Sequence, residues 1–428
     1  MSEFDRVIGY EPIKAELIRI CDIIKHPDKY ERLGVSFPGG ILLEGRPGVG
    51  KTLLADCFVK ECGVNSYICR KNKSGDGFVD FIKQTFDDAK KNEPSIIVLD
   101  DLDKYANEDD EHTDAPEYVT VQSCIDEVKG SKVLVFATVN RISGIPDSLI
   151  RAGRFDKRIE VKAPVEDDAV KLVEYYLSQK KHLKDIDATE VARILCGNSC
   201  ATLETIINDA AIRAGFDNRD EICMDDILKS CLRLLYDAPE TIRGELSADN
   251  EESAYHEAAH AAIGEILEEN SVTLVSIGGG IGAARGFTAY YRSPDYWSSF
   301  DLMKVRVMAL LAGRAEIELK YGKYDVGATS DIERACSVVD RMVSQYLITG
   351  FANMDDSMLY IGSQCDGVKE RSRNAVTGEL EKLYMEVKRL LCLNREFVEN
   401  LASELIIKKN LFHKDIQEIK ARSNIKLK

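Results

Sequence analysis

The strongest constraint on the fold is a glycine-rich segment that runs from Gly45 to Thr52 and reads G-R-P-G-V-G-K-T. It satisfies the phosphate-loop pattern G-x-x-x-x-G-K-S/T in full. The apolar run Ile41-Leu42-Leu43 leads into it, and Thr52-Leu53-Leu54-Ala55 follows, which indicates a strand, a loop and a helix in that order. Phosphate-binding loops of nucleotide-binding proteins connect a strand to a helix in this way, so the segment predicts an α/β domain with a parallel sheet.

The loop supplies most of the residues expected to hold a nucleotide. Its glycines let backbone N–H groups close around phosphates at a helix N-terminus, which already favours anions. Lys51 is expected to reach the β- and γ-phosphates of ATP, and Thr52 is expected to ligate Mg²⁺. The predicted nucleotide-binding residues are Gly45, Pro47, Gly48, Val49, Gly50, Lys51, Thr52 and Leu53 of the loop and Asp100 of the next motif.

An acidic motif follows the apolar run Ile96-Ile97-Val98-Leu99. The run ends in Asp100 and Asp101, the form of a Walker-B strand, in which Asp100 would hold the metal through water. The next position normally polarises the attacking water and is usually glutamate in this class of ATPase. Asp101 is a methylene shorter, and catalysis tolerates little misplacement. We therefore expect slow hydrolysis, or ATP that is bound more than it is turned over.

A third apolar run, Val133-Leu134-Val135-Phe136, precedes a polar residue and two arginines. Asn140 stands where a polar side chain at the tip of a strand can orient the hydrolytic water. Arg151 and Arg154 lie in the segment R-A-G-R-F-D, and arginines so placed can complete a neighbour's active site and stabilise the transferring charge. The predicted catalytic residues of the ATPase are Asp101, Asn140, Arg151 and Arg154.

A second kind of chemistry is indicated by the segment from His256 to His260, which reads H-E-A-A-H and matches the zinc-binding H-E-x-x-H pattern. The chain has only six histidines. Two of them at i and i+4 share one face of a helix, where both imidazoles can bind a single Zn²⁺. Glu257 is placed to take a proton from zinc-bound water as a general base.

Catalytic zinc usually has a third protein ligand, and no histidine stands at position 266 to supply it. Carboxylates further along the chain are therefore the candidates. Asp331 is the best placed because it precedes a helical pattern, and Glu316 and Glu318 are weaker alternatives. The preferred metal set is His256, His260 and Asp331.

The remaining segments are mainly helical by their periodicity. Helical patterns at 53–61 and 78–91 separate the apolar runs, and residues 165–235 have no strand-like run. A glycine-rich, β-branched segment at 272–288 predicts a small sheet or hairpin. The expected domains are an α/β nucleotide-binding subdomain at 1–164, a helical lid subdomain at 165–236, a polar linker at 237–252 and a mainly helical zinc metallopeptidase domain at 253–428.

Charge and cysteine content narrow the partners and the compartment. The 57 basic and 73 acidic side chains give a net charge of −16, which argues against a nucleic acid as main partner. The 12 cysteines are scattered singly, which favours reduced thiols over a disulfide framework. No signal peptide is indicated, and no apolar run approaches the roughly 20 residues that span a bilayer. We expect a soluble, cytoplasmic protein without a membrane span.

In order and rough spacing, these motifs resemble the AAA+ ATP-dependent zinc metalloproteases of the FtsH type over nearly the whole chain. Further matching segments are Ala312 to Glu316, Gly327 to Asp331 and Arg341 to Val343. The resemblance implies an AAA+ α/β domain with a helical lid and a mainly helical zinc peptidase domain. It implies a homo-oligomeric ring, usually a hexamer, with ATP sites between subunits. The implied cofactors are Zn²⁺, ATP and Mg²⁺, and the implied substrates are unfolded or tagged proteins.

The resemblance also assigns roles to single residues. It makes Asn140 the sensor residue and Arg151 and Arg154 fingers that act in trans. The segment from Gly282 to Tyr290 becomes the edge strand that holds an extended peptide by backbone pairing. The implied zinc ligands are His256, His260 and Asp331, with Glu257 as general base.

Four features depart from the family pattern. Members are normally anchored by N-terminal transmembrane helices, whereas this chain starts at the ATPase module. Asp101 replaces glutamate, and Arg46 stands where proline is usual. The central-pore loop normally carries an aromatic-hydrophobic-glycine triplet that grips substrate. Here Ser74 falls at the aromatic position, and Phe78 substitutes for it only if the loop is shifted, which predicts weak threading or other substrates.

Three functions are compatible with these residues. The favoured one is an ATP-dependent zinc endopeptidase in which ATP hydrolysis drives unfolding and translocation of protein substrates. The second is a non-proteolytic remodelling ATPase whose zinc helix is structural. The third is a peptidase with a nucleotide-gated, slowly hydrolysing ATPase ring.

Overall fold

The structure is a computed structural model. In it the chain forms two compact units, and each unit contains two separate segments of the sequence. The first unit contains Met1–Lys184 and Leu195–Ile222, and the second contains Asp185–Ile194 and Cys223–Lys428. The residues described are 2–35, 37–71, 76–106, 116–151, 153–164, 166–236, 248–277, 286–291, 299–324, 326–350 and 366–427.

A five-stranded parallel sheet is the centre of the first unit, with the strand order β2-β3-β4-β1-β5. Because all strands run the same way, the carboxyl ends of β1, β3 and β4 meet at one edge. The strands are β1 Gly40–Glu44, β2 Asn65–Arg70, β3 Ser95–Asp100, β4 Val133–Val139 and β5 Lys157–Glu160.

Helices cover both faces of this sheet and bury its apolar side chains in two cores. Leu42 and Val135 point to the face on which α4 and α5 pack, whereas Ile41 and Phe136 point to the face covered by α1 and α3. The alternation follows from the two-residue period of a strand. The helices of the first unit are α1 Glu11–Lys25, α2 Pro27–Glu31, α3 Lys51–Cys62, α4 Asp76–Lys91, α5 Pro116–Glu127, α6 Glu166–Ser178 and, later in the chain, α8 Cys200–Phe216.

The second unit is mainly helical. Its core is built on the alanine-rich helix α10, which packs against α11 and α14. Small side chains at Ala258 and Ala262 are fully buried and allow this close approach. The helices are α7 Ala188–Ile194, α9 Met224–Tyr236, α10 Ala248–Leu267, α11 Phe300–Tyr321, α12 Thr329–Ser344, α13 Asp366–Leu393, α14 Arg395–Lys408 and α15 His413–Arg422.

A three-stranded antiparallel sheet lies beside α10 in the second unit, with the order β7-β6-β8. The central strand β6, Val272–Ser276, is buried along its whole length. The outer strands are β7, Phe287–Tyr290, and β8, Asn410–Phe412. Among the described residues, β7 pairs with β6 alone and is therefore an edge of the sheet.

The predicted fold class is confirmed. The runs at 41–43, 96–99 and 133–136 are buried strands of a parallel sheet, and the sequence after it is mainly helical. The small sheet or hairpin expected at 272–288 is present as the antiparallel pair of β6 and β7, and the unpredicted β8 pairs with the other side of β6. Residues 278–285 lie outside the described ranges. Within the described ranges, no helix is long and apolar enough to cross a bilayer.

The four-part domain division stays a prediction. The compact units divide the chain differently, since α7 and α9 belong with the second unit although both lie in the expected lid. Helix α10 begins at Ala248, inside the expected linker, and residues 237–247 lie outside the described ranges.

Candidate functional site

The phosphate-binding loop joins β1 to α3 at the carboxyl edge of the parallel sheet. Gly48 and Gly50 have φ values of +79° and +99°, a left-handed region that side chains with a Cβ rarely adopt. Gly50 is the N-cap of α3, so the helix begins at Lys51 with its free N–H groups at the loop. Val49 is the loop residue that packs into the core, whereas Pro47, Thr52 and Leu53 are exposed.

Lys51 spans the loop from inside. Its ammonium group donates to the carbonyl oxygens of Gly45 at 2.7 Å and Arg46 at 3.1 Å. It also donates to Oδ1 of Asn140 at 2.9 Å, which joins the loop to the tip of β4. Burial lowers the pKa of Lys51, against the opposing charges of nearby aspartates. Lys51 and Asn140, the two residues expected near the γ-phosphate, are therefore hydrogen-bonded to each other.

Asp100 ends β3 and is buried, with 3% of its surface exposed. Its Oδ1 accepts a hydrogen bond from the Thr138 hydroxyl at 2.8 Å and lies 3.5 Å from the hydroxyl of Thr52. The adjacency of Thr52 and Asp100 fits the predicted Mg²⁺ site, because hydroxyl and carboxylate oxygens are the ligands that Mg²⁺ prefers. Arg70, at the end of β2, donates through both Nε and Nη2 to Oδ2 of Asp100.

Asp101 follows directly and has a left-handed backbone, with φ of +53°. Its Oδ1 accepts from the Asn140 amide at 3.2 Å, and its Oδ2 accepts from the Lys104 ammonium at 2.6 Å. Burial opposes ionisation, but these partners hold the pKa of Asp101 below its usual value. Both carboxylate oxygens are thus engaged by neighbours in the same chain.

The two candidate finger arginines have different surroundings. Arg154 donates from Nε and Nη2 to the carboxylate of Asp126 on α5, at 3.0 and 2.7 Å. Its Nη1 also donates to the Ser148 carbonyl oxygen. Arg151 is exposed. A side chain that reaches a neighbouring subunit has to be free to extend, so this geometry favours Arg151 over Arg154.

The predicted pore-loop position Ser74 lies outside the described residues. The proposed substitute, Phe78, is 1% exposed in the core between the sheet and α4. Its ring packs edge-on against that of Tyr105, with centroids 5.2 Å apart. Phe78 is therefore a core residue and is not available to grip a substrate.

His256, His260 and Asp331 converge in the second unit. The Nε2 atoms of the two histidines lie 2.9 Å apart, and Oδ2 of Asp331 lies 3.6 Å from the first and 3.4 Å from the second. Two ligands on a tetrahedral zinc ion, with bonds of about 2.0–2.2 Å, stand roughly 3.4 Å apart. Among the side chains that the structure describes, this is the one cluster of three or more His, Cys, Asp or Glu residues close enough to share a metal ion.

The surroundings of the cluster fit a zinc ion. His260 Nδ1 lies 2.6 Å from the Ala309 carbonyl oxygen on α11, a contact that requires the proton on Nδ1 and leaves Nε2 for the metal. Gly313 on the same helix faces the cluster, and a Cβ there would lie 2.4 Å from His256 Nε2. Although burial opposes ionisation, both histidines hold the pKa of Asp331 well below its usual range. The donor set is two imidazoles and a carboxylate.

Glu257 lies beside the cluster and is 6% exposed. Burial raises its pKa, against the charges of His260 and His256. Its Oε2 accepts a hydrogen bond from the Thr288 hydroxyl at 2.8 Å. A buried carboxylate of raised basicity next to a metal site is well suited to take a proton from water.

The two alternative acids are held elsewhere. Glu316 is completely buried and pairs with Arg395, whose Nη1 lies 2.7 and 2.9 Å from its two oxygens. Glu318 accepts from the Tyr384 hydroxyl at 2.7 Å and the Lys388 ammonium at 2.5 Å. Asp331 is the acid that the fold brings to the histidines.

The residues that sequence reasoning missed and that contact the candidate sites include Arg70, Thr138, Thr288 and Gly313. Thr138 had a detectable signal, because it is a polar residue inside the otherwise apolar strand β4. The other three are brought to their partners by strand pairing and helix packing. Gly313 and Thr288 lie in segments that match the family, but the resemblance gives neither residue a role of its own.

Comparison with known families agrees with this geometry. A model of the AAA family, ATPases associated with various cellular activities, matches residues 41–163, which contain the phosphate-binding loop and the acidic strand. A model of peptidase family M41 matches residues 246–419, which contain the histidine cluster and Glu257.

Individual relatives align along almost the whole chain. An ATP-dependent zinc metalloprotease FtsH of Borreliella burgdorferi is 29% identical over 454 residues, covering 97% of this chain and 69% of the relative. The FtsH protein of Lactococcus lactis is 30% identical, covering 97% and 63%, and that of Lachnoclostridium phytofermentans is 29% identical, covering 96% and 74%. The chain thus spans between 63% and 74% of the length of these three relatives. On these matches and on its paired sites, the chain belongs to the FtsH family of AAA-type ATP-dependent zinc metalloproteases.

Proposed function

We propose that the chain is a zinc-dependent endopeptidase that degrades protein substrates with the help of ATP. The convergence of His256, His260 and Asp331 beside the buried base Glu257 carries this proposal. A structural zinc site is normally closed by four protein ligands, whereas a catalytic one has three and an open position for water. Three ligands with a carboxylate next to them favour hydrolysis over a purely structural role.

The peptidase residues act on water and on an extended peptide. Bound by the two histidines and Asp331, zinc would polarise a water molecule and make it a nucleophile at neutral pH. Glu257 accepts the proton of that water at Oε1, since Oε2 is held by Thr288. The free edge of β7 pairs with the backbone of the substrate and places its peptide bond at the site.

The nucleotide site is proposed to bind MgATP with the predicted residues. Lys51 binds the β- and γ-phosphates, Thr52 and Asp100 hold Mg²⁺, and Asn140 senses the γ-phosphate. Asp101 polarises the attacking water. In the ring that we propose, usually a hexamer in this family, Arg151 reaches the nucleotide of the adjacent subunit.

The proposal also includes the coupling of ATP hydrolysis to proteolysis, the class of substrate and the cellular compartment. ATP hydrolysis in the ring drives unfolding and translocation of unfolded or tagged proteins toward the zinc site. Phe78 is buried, so this chain does not grip substrate with that ring. The described cysteines are free thiols, which supports a reducing cytoplasmic setting.

The test measures degradation of a casein-type substrate with and without ATP on protein of known zinc content. We expect Glu257→Gln to retain zinc and abolish cleavage, and Lys51→Ala to remove the stimulation by ATP. Lys60→Ala is the control for Lys51, because Lys60 is an exposed lysine on the same helix. Wild-type protein with full zinc that cleaves no unfolded substrate would contradict the proposal and favour the remodelling ATPase.

One observation favours a second candidate function, a peptidase gated by nucleotide with slow hydrolysis. Lys104 and Asn140 occupy both oxygens of Asp101, and Arg70 occupies an oxygen of Asp100. On this alternative, Lys51→Ala leaves cleavage of a short flexible peptide intact, and Asp101→Glu does not accelerate ATP turnover. Rapid ATP-coupled degradation of a stably folded substrate would eliminate it.

A further inference from the structure

The edge strand β7 is fastened to the metal-binding helix α10 at two points. The hydroxyl of Thr288 donates to Glu257, and the hydroxyl of Tyr290 donates to the carbonyl oxygen of His260 at 2.9 Å. Residues two apart in a strand point to the same side, and residues three apart in a helix share a face. Thr288 and Tyr290 therefore lie on one face of β7, and this face contacts the turn of α10 that contains Glu257 and His260.

The contact between Thr288 and Glu257 is specific. Thr288 Oγ1 lies 2.8 Å from Oε2 of Glu257 and 3.3 Å from its backbone oxygen, and because a hydroxyl has one proton the shorter contact is the main hydrogen bond. Donation to a carboxylate is charge-assisted and stronger than a bond between neutral groups. The bond fixes the orientation of a side chain that would otherwise rotate about three torsions.

Packing at Gly286 restricts Glu257 from another side. A Cβ at this position would lie 2.7 Å from Cγ of Glu257 and 2.8 Å from the Ser276 carbonyl oxygen. The base is therefore enclosed by the backbone that leads into β7 and by the hydroxyl of Thr288. With Oε2 engaged, Oε1 is left as the proton acceptor.

From these contacts we propose that Thr288 is a positioning residue for the peptidase reaction. It holds Glu257 in the orientation in which Oε1 meets the water, and it does so from the strand on which the substrate backbone pairs. Substrate placement and base placement thus depend on one structural element. This inference rests on the proposed peptidase function.

The variants Thr288→Val and Thr288→Ser separate the hydroxyl from the shape of the side chain. Thr273→Val is the matched control, because the Thr273 hydroxyl also bonds to the edge strand, at the Ala289 carbonyl oxygen 3.1 Å away, and has no hydrogen bond to Glu257 among the described contacts. Each variant is assayed on an unstructured peptide after its zinc content and melting temperature have been measured.

We expect Thr288→Val to lower kcat roughly tenfold, the range found when groups that orient active-site residues are removed. KM should stay within about twofold, since the backbone edge of β7 is unchanged. Zinc content should stay at the wild-type level, and Thr288→Ser should restore most of the rate. Thr273→Val should leave kcat near that of the wild type.

A double-mutant cycle adds a test of coupling. In a Glu257→Gln background, any trace of cleavage that a long incubation detects should not fall further when Thr288→Val is added, because the two residues act together. Peptide affinity of the Glu257→Gln protein, measured by fluorescence anisotropy, should not change when Thr288→Val is added.

Three results would overturn the inference. They are a wild-type kcat in Thr288→Val, a serine variant as slow as the valine variant, and a loss confined to KM. If the wild type and Thr273→Val cleave normally, such a result removes the role of Thr288 and leaves the proposed function intact. If the fully zinc-loaded wild type does not cleave at all, the proposed function fails and this inference fails with it.

Discussion

Arg70 Nε lies 2.8 Å from Oδ2 of Asp100, so the carboxylate expected to serve Mg²⁺ is already paired with a cation from the neighbouring strand. The Asp100 side chain is 4% exposed and that of Arg70 is 60% exposed. An exposed guanidinium on a flexible stem can leave its partner at little cost. Arg70 is therefore a cation fixed to the neighbouring strand that competes with Mg²⁺ for the same carboxylate.

Removal of this cation is expected to strengthen Mg²⁺ binding. Exposed ion pairs contribute about 0.2–1 kcal/mol, so Arg70→Ala should tighten Mg²⁺ binding to the nucleotide-loaded protein by about 1.4-fold to fivefold. The measurement is a titration with Mn²⁺ followed by electron paramagnetic resonance. Arg158→Ala is the control, because Arg158 pairs at 2.8 Å with Glu44, which has no place in the Mg²⁺ site. Equal or weaker binding in Arg70→Ala would refute the competition.

Asp331 is predicted to be essential for metal retention. Asp331→Asn replaces a charged oxygen ligand by a neutral amide, and zinc affinity should fall by at least about 100-fold, since even groups that only orient ligands are worth 10- to 100-fold. Zinc bound per chain is measured after dialysis against a graded chelator. Glu318→Gln, the same chemical change at an acid held by Lys388, should retain its zinc. Zinc loss in Glu318→Gln instead would reinstate the alternative ligand.

Gly313 is predicted to tolerate no side chain. A Cβ there would lie 2.4 Å from Nε2 of His256, too close for any carbon–nitrogen contact, so Gly313→Ala should displace the imidazole and lower zinc content. Gly378→Ala serves as control, since an added Cβ meets nothing within 4 Å at this exposed position in α13. That control should raise stability by about 0.5–1 kcal/mol through helix propensity. Full zinc occupancy in Gly313→Ala would show that α11 can move.

The pair of Glu316 and Arg395 makes a prediction about pH. Burial raises the pKa of Glu316, and the charge of Arg395 opposes that effect. Arg395→Met removes the opposing charge, leaves a buried carboxylate unpaired and should destabilise the second unit by about 3 kcal/mol at neutral pH.

The sign of the pH dependence follows from the raised pKa. The folded state with a neutral Glu316 is favoured below the unfolded pKa of about 4.3, and this stability is lost as pH rises through the folded pKa. Urea unfolding should therefore show a smaller deficit for Arg395→Met at pH 5 than at pH 7.5. A deficit that grows toward acid would mean that another group governs the difference.

Buried strands are the most predictable part of this fold. β1, β3 and β4 are covered on both faces, so their sequences are apolar throughout and mark them directly. β2 and β5 lie at the edges of the sheet and escape prediction because their exposed and buried side chains mix. In β5 only Ile159 is buried, and in β2 only Cys69 is.

The residues of the candidate sites also differ in how far the sequence predicts their positions. The spacing of His256 and His260 fixes their geometry within one helix, so the sequence alone predicts the pair. Asp331 is brought to them by the packing of α12 on α11. The helical pattern that follows it makes it the preferred acid of three, and the family resemblance then assigns it as a ligand. Arg70 lacks even that help, and the resemblance places Thr288 only within an edge strand. The contacts of both residues depend on strand register and side-chain direction.

The pairing of β6 with β8 determines how much of the chain must be synthesised before the three-stranded sheet can form. Leu274 of β6 pairs with Phe412 of β8, so β6, which lies beside α10, receives its second neighbouring strand from a much later part of the sequence. A ribosome that has made α10 and β6 has therefore exposed the metal-binding helix before the sheet beside it can close. The sheet that contains β7 is complete only when residues 410–412 have emerged, so we expect the proposed peptide-holding edge to be fully supported no earlier than that point.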